Sequence, residues 1–300
     1  MQTLAEPTIR RTTAPAESLP LSVVIPVRNE ARNLPRCLES LRGAGEVYVI
    51  DSGSTDETAE IARSFGAKVA QFHYHGGWPK KRQWAMDQLP LAYHWILLLD
   101  ADEAVTPELA EEIRHAIENP RYDGYYIALR MHFLGRVLRH GNASFYKLSL
   151  LRRGKARFEC RLQHQDASMC DMEIHEHLVA GGKTGKLQNP LVHHNLETIS
   201  HYIGKHDEYS NWEAQVWLEG ESSCRDLPPS LFGIQAQRRR WLKRNCLGLP
   251  GSPLLFFLYK YFFRLGFLDG VPGLIYCGFQ GIQFFHIKAK IYELRIQRKH

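Results

Sequence analysis

The sequence predicts an α/β domain with a mostly parallel sheet and helices on both faces, followed by a helical, membrane-associating C-terminal segment. Three observations predict it. Short β-branched or aromatic apolar runs alternate with helix-like stretches over the first hundred residues; two of those runs end in aspartates; and from Gln235 onward long apolar runs are interleaved with basic residues.

Leu21–Val27, Val47–Asp51, Lys68–Phe72 and Trp95–Asp100 have the length and content of strands. Ser54-Thr55-Asp56-Glu57 reads as a capping box that opens a helix over Thr55–Phe65, with Gly66 as its stop signal. Thr106-Pro107 opens a second helix running to Asn119. A strand-helix-strand-helix order of this kind favours parallel strands, and ligands then sit beyond their carboxyl ends, where Asp51 and Asp100 stand.

After Asp123 the pattern changes to shorter runs of Tyr, Phe, His and Arg, read as an extended segment that caps the sheet and recognises an acceptor. From Thr198 the chain turns helical, and Tyr209, Trp212 and Trp217 read as core packing. Leu254–Leu268 carries Lys260 and Arg264 one turn apart, as an interfacial helix requires. Val271–Ile287 is apolar but interrupted by Gln280 and Gln283, which favours a surface-lying or re-entrant helix over a span. The expected division is a flexible tail at 1–20, a catalytic domain at 21–225 split near 122, and a basic helical segment at 226–300.

Composition narrows the class. With 300 residues and 44% apolar content the chain can bury a sizeable core. Residues 1–20 hold no apolar run, so a cytoplasmic protein without a signal peptide is expected. Six scattered cysteines without a C-x-x-C pair argue against a zinc ribbon and a disulfide framework. The net charge of +6 is uneven: from Gln235 to His300 there are 12 Lys/Arg against 2 Asp/Glu. Because these charges flank aromatic and aliphatic runs, an anionic membrane surface fits them and nucleic acid does not.

The chemistry-bearing motif is Trp95-Ile96-Leu97-Leu98-Leu99-Asp100-Ala101-Asp102-Glu103. An Asp-x-Asp alone is usually a solvated acidic turn. Delivered by a buried strand, it can hold a hard divalent cation through carboxylate oxygens, which anchors a sugar nucleotide's diphosphate and absorbs charge as it leaves. Asp51 ends another strand, where a carboxylate can accept hydrogen bonds from a nucleoside, although Asp51–Asp56 also reads as an ordinary turn and cap. No G-x-G-x-x-G follows the first strand, His175-Glu176-His177 lacks zinc-protease spacing, and Gly182-Lys183-Thr184 lacks the first glycine of a phosphate loop.

Val24-Ile25-Pro26-Val27-Arg28-Asn29-Glu30, then Asp51-Ser52-Gly53-Ser54-Thr55-Asp56, then Leu99-Asp100-Ala101-Asp102-Glu103, in that order, resemble the family 2 glycosyltransferases of the GT-A fold. Asp100–Glu103, the His175-Glu176 pair and Arg264-Leu265-Gly266-Phe267-Leu268-Asp269-Gly270 look like the lipopolysaccharide-core β-1,4-glucosyltransferase branch. The resemblance implies a UDP-sugar donor, an inverting reaction, Mg²⁺ or Mn²⁺, and a glycan or lipid-linked saccharide acceptor. By position it implies that Pro26, Val27, Asn29, Glu30, Asp51, Asp100 and Ala101 contact the nucleotide-sugar, that Lys81 or Arg82 approaches the diphosphate, and that Asp100 and Asp102 ligate the metal. His193 would add a metal or phosphate contact, and Glu176 would be the base, with Asp171 and Glu173 as substitutes. A transferase for an exopolysaccharide or protein acceptor, and a silent nucleotide-sugar-binding scaffold, are the alternatives.

Overall fold

The computed structural model describes residues 18–143, 145–162, 165, 171–173, 176–194, 198–219, 227–233 and 235–298. Most of the expected N-terminal tail, His175, Cys170, Cys224 and the expected boundary at 225/226 lie outside the described residues.

Four parallel strands form the first half of the sheet: β1 (Leu19–Val27), β2 (Ala44–Asp51), β3 (Lys68–Gln71) and β4 (Trp95–Leu98), in the order β3-β2-β1-β4. All four sit where the apolar runs predicted them. The sheet continues through β5 (Glu103–Ala104), β6 (Gly124–Phe133), β7 (Arg136–Val137), β8 (Phe145–Arg152), β11 (Thr184–Lys186) and β12 (Leu191–His194), while β9 (Ala156–Phe158) and β10 (Leu178–Ala180) pair separately. The stretch after Asp123 is therefore not a cap over the sheet. β8 joins β4 antiparallel through Leu97↔Leu150, and β6 joins β8 antiparallel, so this stretch extends the sheet itself. The sheet is mixed, with parallel pairs from β3 to β4 and both senses beyond β4.

Helices cover both faces. On one, α1 (Leu34–Glu39), α2 (Thr58–Ser64) and α4 (Pro107–Ile117) place Leu34, Ala62, Leu109 and Ile113 against Val23, Ile25 and Leu97. On the other, α3 (Lys81–Gln88) and the β9–β10 pair meet Val24, Ile50 and Leu98. Thr106 caps α4 as expected, its Oγ1 accepting from Leu109 N at 3.2 Å. The capping box at Ser54 does not form. Helix α2 starts three residues late, and Asp56 accepts from Thr58 N at 3.1 Å, because the Ser54 hydroxyl is drawn into long-range bonds described below.

The C-terminal part holds α5 (Ile199–Glu219), α6 (Gln235–Cys246), α7 (Ser252–Leu258) and α8 (Gly270–Gln297). Trp212 is buried, as expected, and its Nε1 donates to Gln165 at 3.1 Å. Leu254–Leu268 is not one interfacial helix: α7 passes into a π-type turn at Tyr259–Phe263 and then a 3₁₀ turn at Gly266–Asp269. Lys260 is consequently buried rather than facing a lipid interface beside Arg264. Val271–Ile287 lies within α8, whose Gly273, Cys277, Gly281, Ile287 and Ile291 form one buried stripe. Among the described residues no helix is long and apolar enough to cross a membrane.

This segment is tied to the sheet. Tyr276 and Cys277 of α8 share a core with Phe133, Leu138 and Ala143 of the β6–β8 connection. Asp269 accepts from Arg139 N at 3.1 Å and His140 N at 2.9 Å, and Gly141 N donates to Arg264 O at 2.8 Å. Gly141 has φ +64, and a Cβ there would stand 3.1 Å from Cys277 Sγ, so this turn packs its bare backbone against the Cys277 side chain.

Candidate active site at the carboxyl ends of the parallel strands

Val27 and Asp51 are register partners at the ends of β1 and β2, and Leu99 N donates to Val24 O at 3.1 Å, which brings Asp100 to the same edge. The loops beyond are stitched together. Asn29, at φ +56, uses a backbone conformation that asparagine tolerates better than most side chains. Its N–H donates to Ser54 Oγ at 2.9 Å, while its Oδ1 accepts from Thr55 N at 2.7 Å. Ser54 Oγ in turn donates to Asp51 Oδ1 at 2.6 Å. Glu30 N donates to Thr58 Oγ1 at 2.8 Å, and the Glu30 carboxylate accepts from Asn33 Nδ2 at 2.8 Å. Pro26, Val27, Asn29, Glu30 and Asp51 are thus gathered into one double loop. Asp51 itself is buried, with its second oxygen accepting from Gln71 Nε2 at 3.1 Å.

Three successive cations at the start of α3 each meet an acid from elsewhere in the chain. Lys80 Nζ lies 2.9 Å from Glu176 Oε1 and 4.9 Å from the centre of the Trp212 ring. Lys81 Nζ lies 3.0 Å from Asp171 Oδ2 and donates to Val27 O at 3.1 Å. The Arg82 guanidinium pairs with Asp100. Glu173 caps this helix: its two oxygens accept from Arg82 N at 3.0 Å and Gln83 N at 2.9 Å. Burial pushes the Glu173 carboxyl upward against the pull of Arg82.

The Asp-x-Asp carboxylates are held differently. Asp100 accepts from Lys147 Nζ at 2.7 Å as well as pairing with Arg82. Burial opposes its ionisation, yet those two cations hold it well below the usual carboxylate range. Asp102 Oδ2 stands 3.0 Å from His193 Nε2. Burial works against the imidazolium there, but Asp102 raises His193 to about 9. Strand β12 delivers this histidine by pairing His193 with Glu103 of β5. Glu103 is fully buried and accepts from Asp100 N at 2.9 Å; burial, partly offset by Lys147, raises it to about 7. Ala101 is buried behind the pair.

The expected residues therefore converge on one edge, from Val27 through Asp51, Lys81, Arg82, Asp100 and Asp102 to His193. Glu176 stands on the α3 side, bound to Lys80. Sequence reasoning missed Lys80, Glu103 and Lys147. The available signal for Lys147 was a lysine within a strand, immediately before the buried stretch Leu148–Leu151.

Among the described residues no group of three or more His, Cys, Asp or Glu side chains converges on a metal position. The donor set nevertheless fits a divalent cation completed by other ligands. Asp102 supplies a carboxylate whose Oδ2 faces His193 Nε2 at 3.0 Å, and the other ring nitrogen, His193 Nδ1, is buried without a hydrogen-bond partner.

Residues 22–179 match the profile described as Glycosyl transferase family 2. The chain is 27% identical over 282 residues to a lipopolysaccharide core biosynthesis glycosyltransferase, LpsC, of Rhizobium meliloti, covering 92% of this chain and 93% of that one. It is 37% identical over 106 residues to an uncharacterized glycosyltransferase of Rickettsia bellii, covering 35% of each chain. Among solved structures it is similar to S. aureus TarS, with 14% identity, 92% and 91% coverage and a TM-score of 0.46. It is also similar to glucosyl-3-phosphoglycerate synthase from Mycobacterium tuberculosis in complex with Mn²⁺, UDP and glucosyl-3-phosphoglycerate, with 16% identity, 68% and 80% coverage and a TM-score of 0.41. Since the profile spans more than half of the chain and its motifs fall on the strand ends described above, this protein belongs to glycosyl transferase family 2 and is a nucleotide-sugar-dependent glycosyltransferase.

Proposed function

We propose that this enzyme transfers a hexose, such as glucose, from a UDP-sugar to a lipid-linked saccharide with inversion, in lipopolysaccharide or related envelope-glycan synthesis. The observation that carries the reading is the pairing of Asp102 with His193 at the end of the Asp-x-Asp strand, beside Arg82 and Lys147. The match to LpsC over nearly the whole chain supports the pathway.

In this reading the double loop around Asn29, Ser54 and Asp51 receives the nucleoside. Asp102 and His193 hold Mg²⁺ or Mn²⁺, which when bound supplies Lewis-acid neutralisation of the departing diphosphate. Arg82 and Lys147, now neutralised by Asp100, are placed to share their charge with the incoming phosphates. Inverting transfer needs a carboxylate to take the acceptor proton. Of the three candidates, Glu173 has both oxygens committed to the α3 N-terminus, and Asp171 is held by Lys81 and Ser52. Glu176, which aligns with the His-Glu pair of the resembling branch, is taken as the base, with Lys80 Nζ 2.9 Å from its Oε1. Glu176→Gln is expected to keep UDP-sugar affinity within about twofold while transfer falls by roughly 10²–10⁴-fold, the span of a lost general base. Near-normal turnover in that variant removes Glu176 from the role.

The acceptor is reached at a membrane surface. Phe263 is 81% exposed, Val271 68%, Leu254 61%, and Leu255 and Phe262 53% each. So many exposed large apolar side chains between residues 254 and 271, with the exposed Arg264 among them, suit the interface of an anionic bilayer at the cytoplasmic face. Flotation with phosphatidylglycerol vesicles tests this. Phe263→Ser should lower partitioning by about 10-fold or more, from roughly 1.5–3 kcal/mol of lost burial. Equal binding by the variant, or equal binding to neutral vesicles, counts against the surface.

A further inference from the structure

The β9–β10 ladder is extended past the register pair Leu178↔Phe158 by one further residue on each strand. There Glu159 N donates to His177 O at 3.0 Å, and the Glu159 side chain turns back to accept from His177 N at 2.8 Å. Both backbone groups of His177 are thus held by one residue. The N–H of His177 belongs to the peptide that joins it to Glu176. That peptide is planar, so its orientation fixes the Cα from which the Glu176 side chain projects. Glu159 is fully buried, and its carboxylate serves the protein interior.

The Glu159 carboxylate is itself placed from the C-terminal helices. Arg240 of α6 pairs with it, Nη1 donating to Oε2 at 2.7 Å. Three residues further along α6, Lys243 Nζ lies 2.6 Å from Glu213 Oε1 of α5. Next to Glu213 is Trp212, whose ring centre lies 4.9 Å from Lys80 Nζ, and that ammonium stands 2.9 Å from Glu176 Oε1. Ala214 of α5 and Leu247, just beyond α6, share a core with Ile287 and Ile291 of α8. Helices tied to one another therefore reach Glu176 from two directions, through its chain neighbour and through its counter-ion.

We propose that Glu159, held by Arg240, is a positioning residue for proton removal: it aims Glu176 through the Glu176–His177 peptide. The C-terminal helices then belong to the catalytic apparatus as well as to the attachment surface. The proposal rests on Glu176 being the base. Displacing a catalytic group by about 1 Å can cost on the order of 10²-fold in rate, so a grip one peptide away is worth a measurable share of turnover.

The test uses the full chain with Mn²⁺, UDP-glucose as donor probe and, as acceptor probe, glycolipid extracted from cells deleted for this gene. Glu159→Met with Arg240→Met removes both charges, so neither ion is left buried alone. Assayed well below its own unfolding midpoint, this pair should lose at least about 10-fold in kcat while UDP affinity stays within about twofold of wild type. Glu159→Gln with Arg240→Met keeps an acceptor oxygen for His177 N and should recover most of the loss. The deciding comparison is made in Glu176→Gln, where adding the methionine pair should cost less than about twofold more, since no carboxylate is left to aim. A general loosening of the fold lowers kcat alike in both backgrounds; that result, or a methionine pair as fast as wild type, overturns the role. If the methionine pair does not fold, Glu159→Asp takes its place, its charge intact but its carboxylate one methylene too short to hold Arg240 and His177 N together. Near-normal turnover in Glu176→Gln refutes the choice of base and the positioning with it, whereas additive losses refute the positioning alone.

Discussion

Asp102→Asn is expected to lower metal-dependent transfer by about 10³-fold, the equivalent of roughly 4 kcal/mol of lost charge stabilisation. The variant keeps the side-chain shape and removes the charge that faces His193 Nε2 at 3.0 Å. Two further readouts bind the loss to this pair. The Mn²⁺-induced rise in unfolding midpoint should disappear, and His193, raised to about 9 in the native protein, should titrate lower by NMR because burial is then opposed only by the weaker pull of Glu103 and Asp100. Asp100→Asn is a useful contrast. It strips the counter-charge from both Arg82 and Lys147, whereas Asp102→Asn strips it from His193 alone, so both variants should lose stability and Asp100→Asn the more. Retained Mn²⁺ response in Asp102→Asn would remove the proposed metal position.

The largest stability effect is expected at Arg240. Its guanidinium reaches from α6 to Glu159, a carboxylate that is fully buried and also accepts from His177 N at 2.8 Å. Arg240 NH1 donates to Glu159 Oε2 and to Leu227 O, each at 2.7 Å. Arg240→Met should cost about 3–5 kcal/mol at pH 7, because a buried carboxylate loses its counter-charge. Burial disfavours the Glu159 anion, but His177 and Arg240 draw it down to about 2. The unfolded value is near 4.3, so the stabilisation is complete above that pH and drains away as pH falls from about 4 to about 2, amounting to roughly 3 kcal/mol. Urea midpoints should follow this slope in wild type and lose most of it in Arg240→Met. Glu159→Gln combined with Arg240→Met should recover part of the loss; a double variant no better than the single one argues against the pair as its source.

What the sequence disclosed is what is local. The four parallel strands and the Asp-x-Asp were legible because each lies in one apolar run, and Thr106-Pro107 because a cap is set within four residues. Helix α3 showed no amphipathic signature, since its buried face is made of Lys81, Arg82 and Gln83, whose partners Asp171, Asp100 and Glu173 come from elsewhere in the chain. Ser54 matched a capping box, yet Asn29, 25 residues earlier, competes for its hydroxyl and wins. Lys260 and Arg264 were placed on one face by the spacing of an ordinary helix. The π-type turn has a longer repeat, so the two diverge, the lysine inward and the arginine outward. Lys147 escaped notice because its role depends on an antiparallel neighbour 47 residues from Asp100.

The core that joins Phe133, Leu138 and Ala143 to Tyr276 and Cys277 bears on how such enzymes can be recombined. Exchanging the last helices between two homologues to redirect specificity would leave the graft without its complementary surface, since Asp269 is bonded to the backbone at 139–140 and a side chain at Gly141 would crowd Cys277 from a strained backbone. A functional chimera must carry the 131–143 stretch along with its own C-terminus. Shuffling that moves one of these distant blocks without the other would separate the two halves of the shared core.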